Sequence, residues 1–94
     1  MNLRYYYNPE TDQPHIYDHD VSEREVEDVL VKPHEEAKGR DQSRMAIGAT
    51  REGRLLKVVC VPDEIGDGIF VVTAYDLTGK ALTAFRRRMR KRRR

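Results

Sequence analysis

Four side chains of this sequence have the chemistry that proton transfer and phosphate stabilisation require. His19 carries an imidazole, a group that titrates near neutral pH, and the other three supply a guanidinium, a phenol and an ammonium. Displacement at a phosphate ester without a metal needs such groups, because the attacking hydroxyl must lose a proton, the phosphate gains negative charge and the leaving oxygen must be protonated. The candidate catalytic residues are therefore His19, Arg54, Tyr75 and Lys80.

Each candidate also has a purely structural interpretation, and the sequence leaves both open. Arg54 lies in a predicted hairpin, where an arginine is an ordinary surface residue, and the same holds for Arg51. Tyr75 ends an apolar run and fits a half-buried strand end, while Lys80 fits a solvent-exposed first turn of a helix. His19 precedes a helix, where it can orient the loop before that helix.

The C-terminal segment is strongly basic: residues 86–94, "RRRMRKRRR", contain eight basic side chains and no acidic one. The whole chain has 18 basic and 16 acidic residues, so the part before this segment is net acidic. Arginine predominates in the segment, and its planar guanidinium suits paired contacts with phosphate or carboxylate. We therefore predict contact with a polyanion, either RNA or acidic residues of a partner protein, and the alternative is a solvated helix end. The candidate nucleic-acid contacts are Arg51, Arg86, Arg87, Arg88 and Arg90.

The clearest element that positions these groups is a helix within "DHDVSEREVEDVLVKP". Ser22 and Glu25 have the spacing of a capping box, and Val21 and Val26 have that of a hydrophobic staple. Since proline stops a helix, the pattern predicts a helix over Glu23–Val31 with one acidic face. That face is either solvated, or it docks the chain's own basic helix or a partner's arginines.

The rest of the chain predicts strands and a second helix. An aromatic run at residues 3–7 predicts a first strand, and "RMAIGAT", "LLKVVCV" and "IFVVTAY" predict three more that pair antiparallel through hairpins. Residues 34–42, "HEEAKGRDQ", have no period and predict a loop or a frayed helical turn. Leu82, Phe85 and Met89 form one apolar stripe of a basic C-terminal helix that begins after a cap at Asp76 or Thr78, and residues 92–94 are expected to fray.

These patterns together predict an α+β fold with an antiparallel sheet of about four strands, an acidic helix after the first strand and a basic C-terminal helix. Residues 1–85 form one domain, and residues 86–94 extend its last helix.

Metal, cofactor and membrane chemistry find little support in the sequence. His15 and His19 are four residues apart, but the predicted helix starts after them and no third ligand accompanies them. The single cysteine, Cys60, allows neither an internal disulfide nor a cysteine metal site. No run of eighteen apolar residues or signal peptide is present, so we predict a cytoplasmic protein with no metal, no cofactor and no membrane contact.

Three stretches resemble the BrnT-like toxins and their relatives of unknown function in the RelE/ParE superfamily: "HDVSEREVEDVLVKP", "IGATREGRLLKVV" and "FVVTAY" followed by a basic segment. The likeness covers roughly residues 15–88. The family pattern before its first helix falls on residues 19–22, with Asp20 where glycine is usual, and its basic residue at the central strand falls on Arg54. Where BrnT-type strands end in Ser-Ala-Arg, this chain reads Thr73-Ala74-Tyr75, as other relatives do.

The resemblance implies a RelE-like fold and a toxin of a type II toxin–antitoxin pair, which cleaves messenger RNA until a cognate antitoxin covers it. Its implied partners are RNA and that antitoxin. A noncatalytic module that binds nucleic acid or protein through the basic helix is the alternative, and the oligomeric state stays open.

Overall fold

The computed structural model describes residues 2–92 as an α+β fold with a five-stranded mixed sheet, a two-stranded ladder and two α-helices. The elements in chain order are β1 (Leu3–Tyr5), β2 (Tyr7–Asn8), β3 (Gln13–Pro14), a 3₁₀ helix (His15–His19), α1 (Glu23–Val31), β4 (Glu35–Lys38), β5 (Arg44–Ala49), β6 (Leu55–Pro62), β7 (Ile69–Asp76) and α2 (Gly79–Arg92). Within these residues, no helix combines the length and the apolar character that crossing a membrane requires. The predicted α+β class is confirmed.

The sheet differs from the prediction of about four antiparallel strands. Its order is β1-β7-β6-β5-β4, and β1 runs parallel to β7, with Leu3 opposite Ile69 and Tyr5 opposite Val71. The strand predicted over residues 3–7 ends at Tyr5, and the chain then enters the small β2–β3 ladder. The direction of β1 depends on a pairing with residues 69–71, far away in the chain, which no local sequence pattern records.

The loop prediction for residues 34–42 was wrong for Glu35–Lys38, which form the edge strand β4, and it holds for residues 39–42, which connect β4 to β5. This strand pairs antiparallel with β5, with Glu35 opposite Ile47 and Lys38 opposite Arg44. Most of its side chains are exposed, so the apolar alternation that identifies a half-buried strand is missing. Hydrogen bonding to β5, a tertiary interaction, therefore decides its conformation.

Helix α1 spans Glu23–Val31, the range that its sequence predicts. The Ser22 hydroxyl accepts a hydrogen bond from the Glu25 backbone N–H at 3.2 Å, and the Glu25 carboxylate accepts one from the Ser22 N–H at 3.0 Å. These two bonds form the capping box. Val26 and Val29 are fully buried and hold the helix against one face of the sheet, which we call the α1 face.

Helix α2 covers part of the opposite side of the sheet, which we call the α2 face. Phe85 is buried in a cluster with Ile47 of β5 and Leu77, and Leu82 and Met89 pack against that cluster. The apolar stripe predicted for this helix therefore packs inward. The segment expected to fray starts at Arg92, which is the last residue of α2. Residues 93 and 94 of that segment lie outside the described part of the chain.

Candidate functional site

A row of four rings runs along the edge of the sheet beside β7. The ring centroids of Tyr6 and His15 are 6.0 Å apart, those of His15 and His19 are 5.3 Å apart, and those of His19 and Tyr75 are 5.8 Å apart. The last two contacts are edge-to-face, a favourable geometry for aromatic rings. The fold thus brings His19 and Tyr75, two of the predicted catalytic residues, into contact.

The 3₁₀ helix sets the position of both imidazoles. Ile16 is buried in the main core and anchors this short helix, which ends at Asp20. Asp20 has φ 57° and ψ 38°, the left-handed region, and its N–H donates to the Tyr17 carbonyl at 3.0 Å. Glycine is favoured at a left-handed position because it has no Cβ, so Asp20 adopts a backbone conformation that glycine would adopt without a Cβ clash.

Arg54 lies behind this row and bonds to three different elements. Its Nε and Nη2 donate to the Asp76 carboxylate at 2.7 and 3.1 Å, and its Nη1 donates to both Glu25 carboxylate oxygens at 3.1 Å. Nη1 also donates to the Asp20 carbonyl at 2.7 Å, and Nη2 donates to the His19 carbonyl at 3.3 Å. An arginine has five N–H donors, and these bonds engage all of them. Arg54 therefore ties β7, α1 and the end of the 3₁₀ helix together.

The charges around Arg54 reinforce one another. Its hydrogen bonds to Asp76 raise the pKa of the guanidinium above its usual value, and they lower the pKa of the Asp76 carboxyl. Partial burial opposes ionisation of Glu25, but hydrogen bonds from Ser22 and Arg54 outweigh it and lower the pKa of that carboxyl. Both carboxylates are consequently ionised at neutral pH.

Arg51 points to α1 and not to the row of rings. Its Nε lies 3.3 Å from the Asp28 carboxylate, which also accepts a hydrogen bond from the Arg51 backbone N–H at 3.1 Å. The arginines that pair with the acidic side of α1 are thus Arg51 and Arg54 of the β5–β6 hairpin. Since α2 lies on the other face of the sheet, the alternative in which α1 docks on the chain's own basic helix does not apply to this structure.

Lys80 takes no part in the contacts that join the other predicted catalytic residues. It is exposed in the first turn of α2, and within residues 2–92 no hydrogen bond or ion pair joins it to His19 or Tyr75. Each residue of a helix turns about 100° from the last, which places Lys80, Arg87 and Lys91 on the side of α2 opposite the buried Phe85. The cation next to Tyr75 is Lys57, its direct cross-strand neighbour on β6.

The arginines of α2 divide into two groups. Arg88 donates two hydrogen bonds of 2.7 Å to the Glu35 carboxylate, and Arg92 lies 3.2 Å from the same carboxylate. The hydrogen bonds from Arg88 lower the pKa of Glu35. Arg86, Arg87 and Arg90 are exposed, so three of the four predicted contacts on α2 face solvent and one is engaged within the fold.

A surface groove of about 480 Å³ separates the exposed side of α2 from the end of the sheet. Its floor is apolar, with Leu55 and Met89, and Phe85 below it is only 4% exposed. Arg86 and Arg90 lie along its rim. The groove therefore offers cations next to an aliphatic floor, with the exposed ring of His34 also in its lining.

Sequence reasoning missed three participants in this arrangement. His15 and Tyr6 belong to the ring row, and their only sequence signals were the spacing from His19 and the run of three tyrosines. Lys57 is one charge within an apolar run, which is also a signal for a solvent-facing strand position. Among residues 2–92, no group of three or more potential metal ligands is placed to hold an ion.

Residues 15–76 match the family described as a domain of unknown function (DUF4258). This region runs from the first residue of the 3₁₀ helix to the last residue of β7. It includes His19, Arg54 and Tyr75, whereas Lys80 and all of α2 lie beyond it. Searches of curated proteins and of solved structures found no match.

Proposed function

This chain belongs to the DUF4258 family, and we propose that it is a metal-independent ribonuclease of RelE-like fold that acts as the toxin of a toxin–antitoxin pair. One observation carries the proposal: the imidazole of His19 lies against the ring of Tyr75, with centroids 5.8 Å apart. An imidazole and a phenol in contact form a pair that can accept one proton and donate another. The family region contains both residues.

In the proposed reaction, His19 accepts the proton of a ribose 2′-hydroxyl while its oxygen attacks the adjacent phosphorus. The bond from phosphorus to the 5′-oxygen breaks, and that oxygen takes the proton of the Tyr75 hydroxyl. The products are a 2′,3′-cyclic phosphate and a 5′-hydroxyl end. Lys57, opposite Tyr75 in the sheet, supplies positive charge for the phosphate. Arg54 acts as a positioning residue, because its donors already hold the backbone of His19 and Asp20.

The exposed cations of α2 bind the RNA backbone in this proposal. Arg86, Arg87 and Arg90 are exposed, and phosphate contacts by such residues give binding that weakens steeply with salt. A cognate antitoxin is the proposed protein partner, and it acts by covering this basic surface. A short neighbouring gene for a DNA-binding protein is expected.

The direct test measures cleavage of a labelled single-stranded RNA by the purified chain in the presence of EDTA. Loss of a general acid or base typically slows a reaction by about 10²–10⁴-fold, and we expect such losses for His19→Ala and for Tyr75→Phe. Tyr17→Phe is a matched control outside the ring row and retains activity. Expression of the wild-type chain should arrest growth, and the Tyr75→Phe variant should not. A wild-type chain that neither cuts RNA nor arrests growth overturns the proposal.

A second function is favoured by one specific observation: every donor of Arg54 is engaged within the fold, which leaves none for a phosphate. The alternative is a noncatalytic module that binds nucleic acid or protein through α2. It predicts salt-sensitive RNA binding that Arg87→Ala weakens, together with no cleavage and no effect of Tyr75→Phe.

A further inference from the structure

The outer edge of β4 is an open strand edge that could pair with another strand. This feature is independent of the function proposed above. β4 is the last strand of the sheet, with β5 on its inner side, and Glu36, Ala37 and Lys38 are exposed. An edge strand presents unpaired backbone N–H and C=O groups that can pair with another strand.

Hydrogen bonds of the sheet show which backbone groups point outward. The Gly39 N–H donates to the Ser43 carbonyl at 2.8 Å, so the backbone of Gly39 bonds inward, towards β5. In the next pair of strands, β5 and β6, the Thr50 N–H donates to the Arg54 carbonyl at 2.9 Å. Residues in an antiparallel ladder alternate between the two sides. Ala37, two residues before Gly39, therefore also bonds inward to β5. The N–H and C=O groups of Glu36 and Lys38 therefore face the open edge.

The side chains on this edge are complementary to themselves. When two copies of β4 pair antiparallel around a two-fold axis at Ala37, Glu36 of each copy lies opposite Lys38 of the other. Moving the axis to Glu36 or to Lys38 places like charges opposite each other, which is destabilising in a sheet. Glu35 does not interfere, because Arg88 and Arg92 hold it on the α2 face.

We propose that β4 binds β4 of a second copy of this chain, so that Glu36 and Lys38 pair reciprocally across a two-fold axis at Ala37. The backbone groups of these residues form the intermolecular ladder, and the two sheets become one continuous sheet. The two-fold axis is perpendicular to the joined sheet, so the rotation leaves the α1 faces of both copies on one side and the α2 faces on the other. Both basic α2 helices then lie on the same side of the dimer and both α1 helices on the other.

Short charged edge strands also serve in many proteins to prevent association, so the test must separate the two roles. Sedimentation equilibrium on the full chain should show a reversible monomer–dimer equilibrium. The single reversals Glu36→Lys and Lys38→Glu each replace two attractive pairs with two repulsive ones and should weaken association by at least about tenfold. The double variant with both changes restores the opposite pairs and should return association to nearly the wild-type level.

A cysteine at the axis gives an independent measurement. Directly opposed residues of a non-hydrogen-bonded pair have Cα atoms about 4.5 Å apart, within the range that a disulfide spans. In a Cys60→Ala background, Ala37→Cys should therefore form a covalent dimer on oxidation, while Glu64→Cys in the β6–β7 loop should not. The proposal is overturned by a chain that stays monomeric and does not cross-link through Ala37→Cys, by a dimer that the single reversals leave intact, or by a double variant that does not recover.

Discussion

Arg54 and Asp76 join the start of β6 to the end of β7 through two parallel hydrogen bonds, of 2.7 Å from Nε and 3.1 Å from Nη2. Paired geometry of this kind requires the planar fork of arginine, and an ammonium cannot reproduce it. The same guanidinium holds the carbonyls of His19 and Asp20. The stability of the fold and the position of the His19 ring therefore both depend on the Arg54 side chain.

The variant Arg54→Lys tests this dependence. It keeps the positive charge but leaves most of the acceptors around it without a donor, and we expect the free energy of unfolding to fall by about 2–3 kcal/mol. Urea unfolding of the purified chain measures the change. Arg51→Lys, at an exposed position of the same hairpin, should change it by less than about 1 kcal/mol. Equal effects of the two variants would contradict the role assigned to Arg54.

Asp20 is a site where a substitution should stabilise the fold. Its φ of 57° places an L-residue in the left-handed region, which glycine occupies without the Cβ clash. Asp20→Gly should therefore raise the free energy of unfolding by about 0.5–1 kcal/mol, and Asp20→Ala should lower it. The carbonyl that Arg54 binds is present in both variants, so the comparison isolates the backbone conformation. If glycine instead destabilises the fold in thermal unfolding, the aspartate side chain contributes more stability than its left-handed backbone conformation costs.

Tyr5 should give the protein an alkaline limit. Burial, reinforced by the negative charges of Glu23 and Glu27, raises the pKa of this phenol to about 12. The unfolded chain ionises at about pH 10, so the stabilisation is complete below about pH 10 and is lost as the pH rises towards 12. Urea unfolding across this range should show a decline that Tyr5→Phe reduces, with little change at neutral pH. An unchanged slope in the variant would exclude Tyr5 as its source.

Glu35 controls how many arginines of α2 are available to a polyanion. Glu35→Gln removes the charge that holds Arg88 and Arg92, and two more phosphate contacts become available. The slope of the logarithm of RNA affinity against the logarithm of salt concentration should steepen by roughly 1.4, or about 0.7 per phosphate for a single strand. Fluorescence anisotropy with a labelled RNA measures it. Glu52→Gln, in the β5–β6 turn, removes the same net charge and should leave the slope unchanged; equal steepening in both would indicate a general charge effect.

Local interactions made part of this fold predictable. The capping box of Ser22 and Glu25 and the valines of α1 act within one or two turns, so their spacing predicted the bounds of the helix. The apolar runs of β6 and β7 also predicted strands, because the run of apolar residues that marks a buried strand lies within each strand itself. β4 was missed because its exposed residues have no apolar alternation, and its conformation depends on a neighbour in space.

The sequence by itself determined which groups the molecule carries: an imidazole before α1, a phenol at the end of an apolar run and a concentrated set of guanidiniums at the end of the chain. Only the tertiary structure decided which of them meet. It placed His19 against Tyr75, engaged every donor of Arg54 and paired Arg88 with Glu35. The reason is physical: residue type and spacing set local conformation and chemistry, whereas contacts between residues far apart in the chain arise only when the sheet and its two faces assemble.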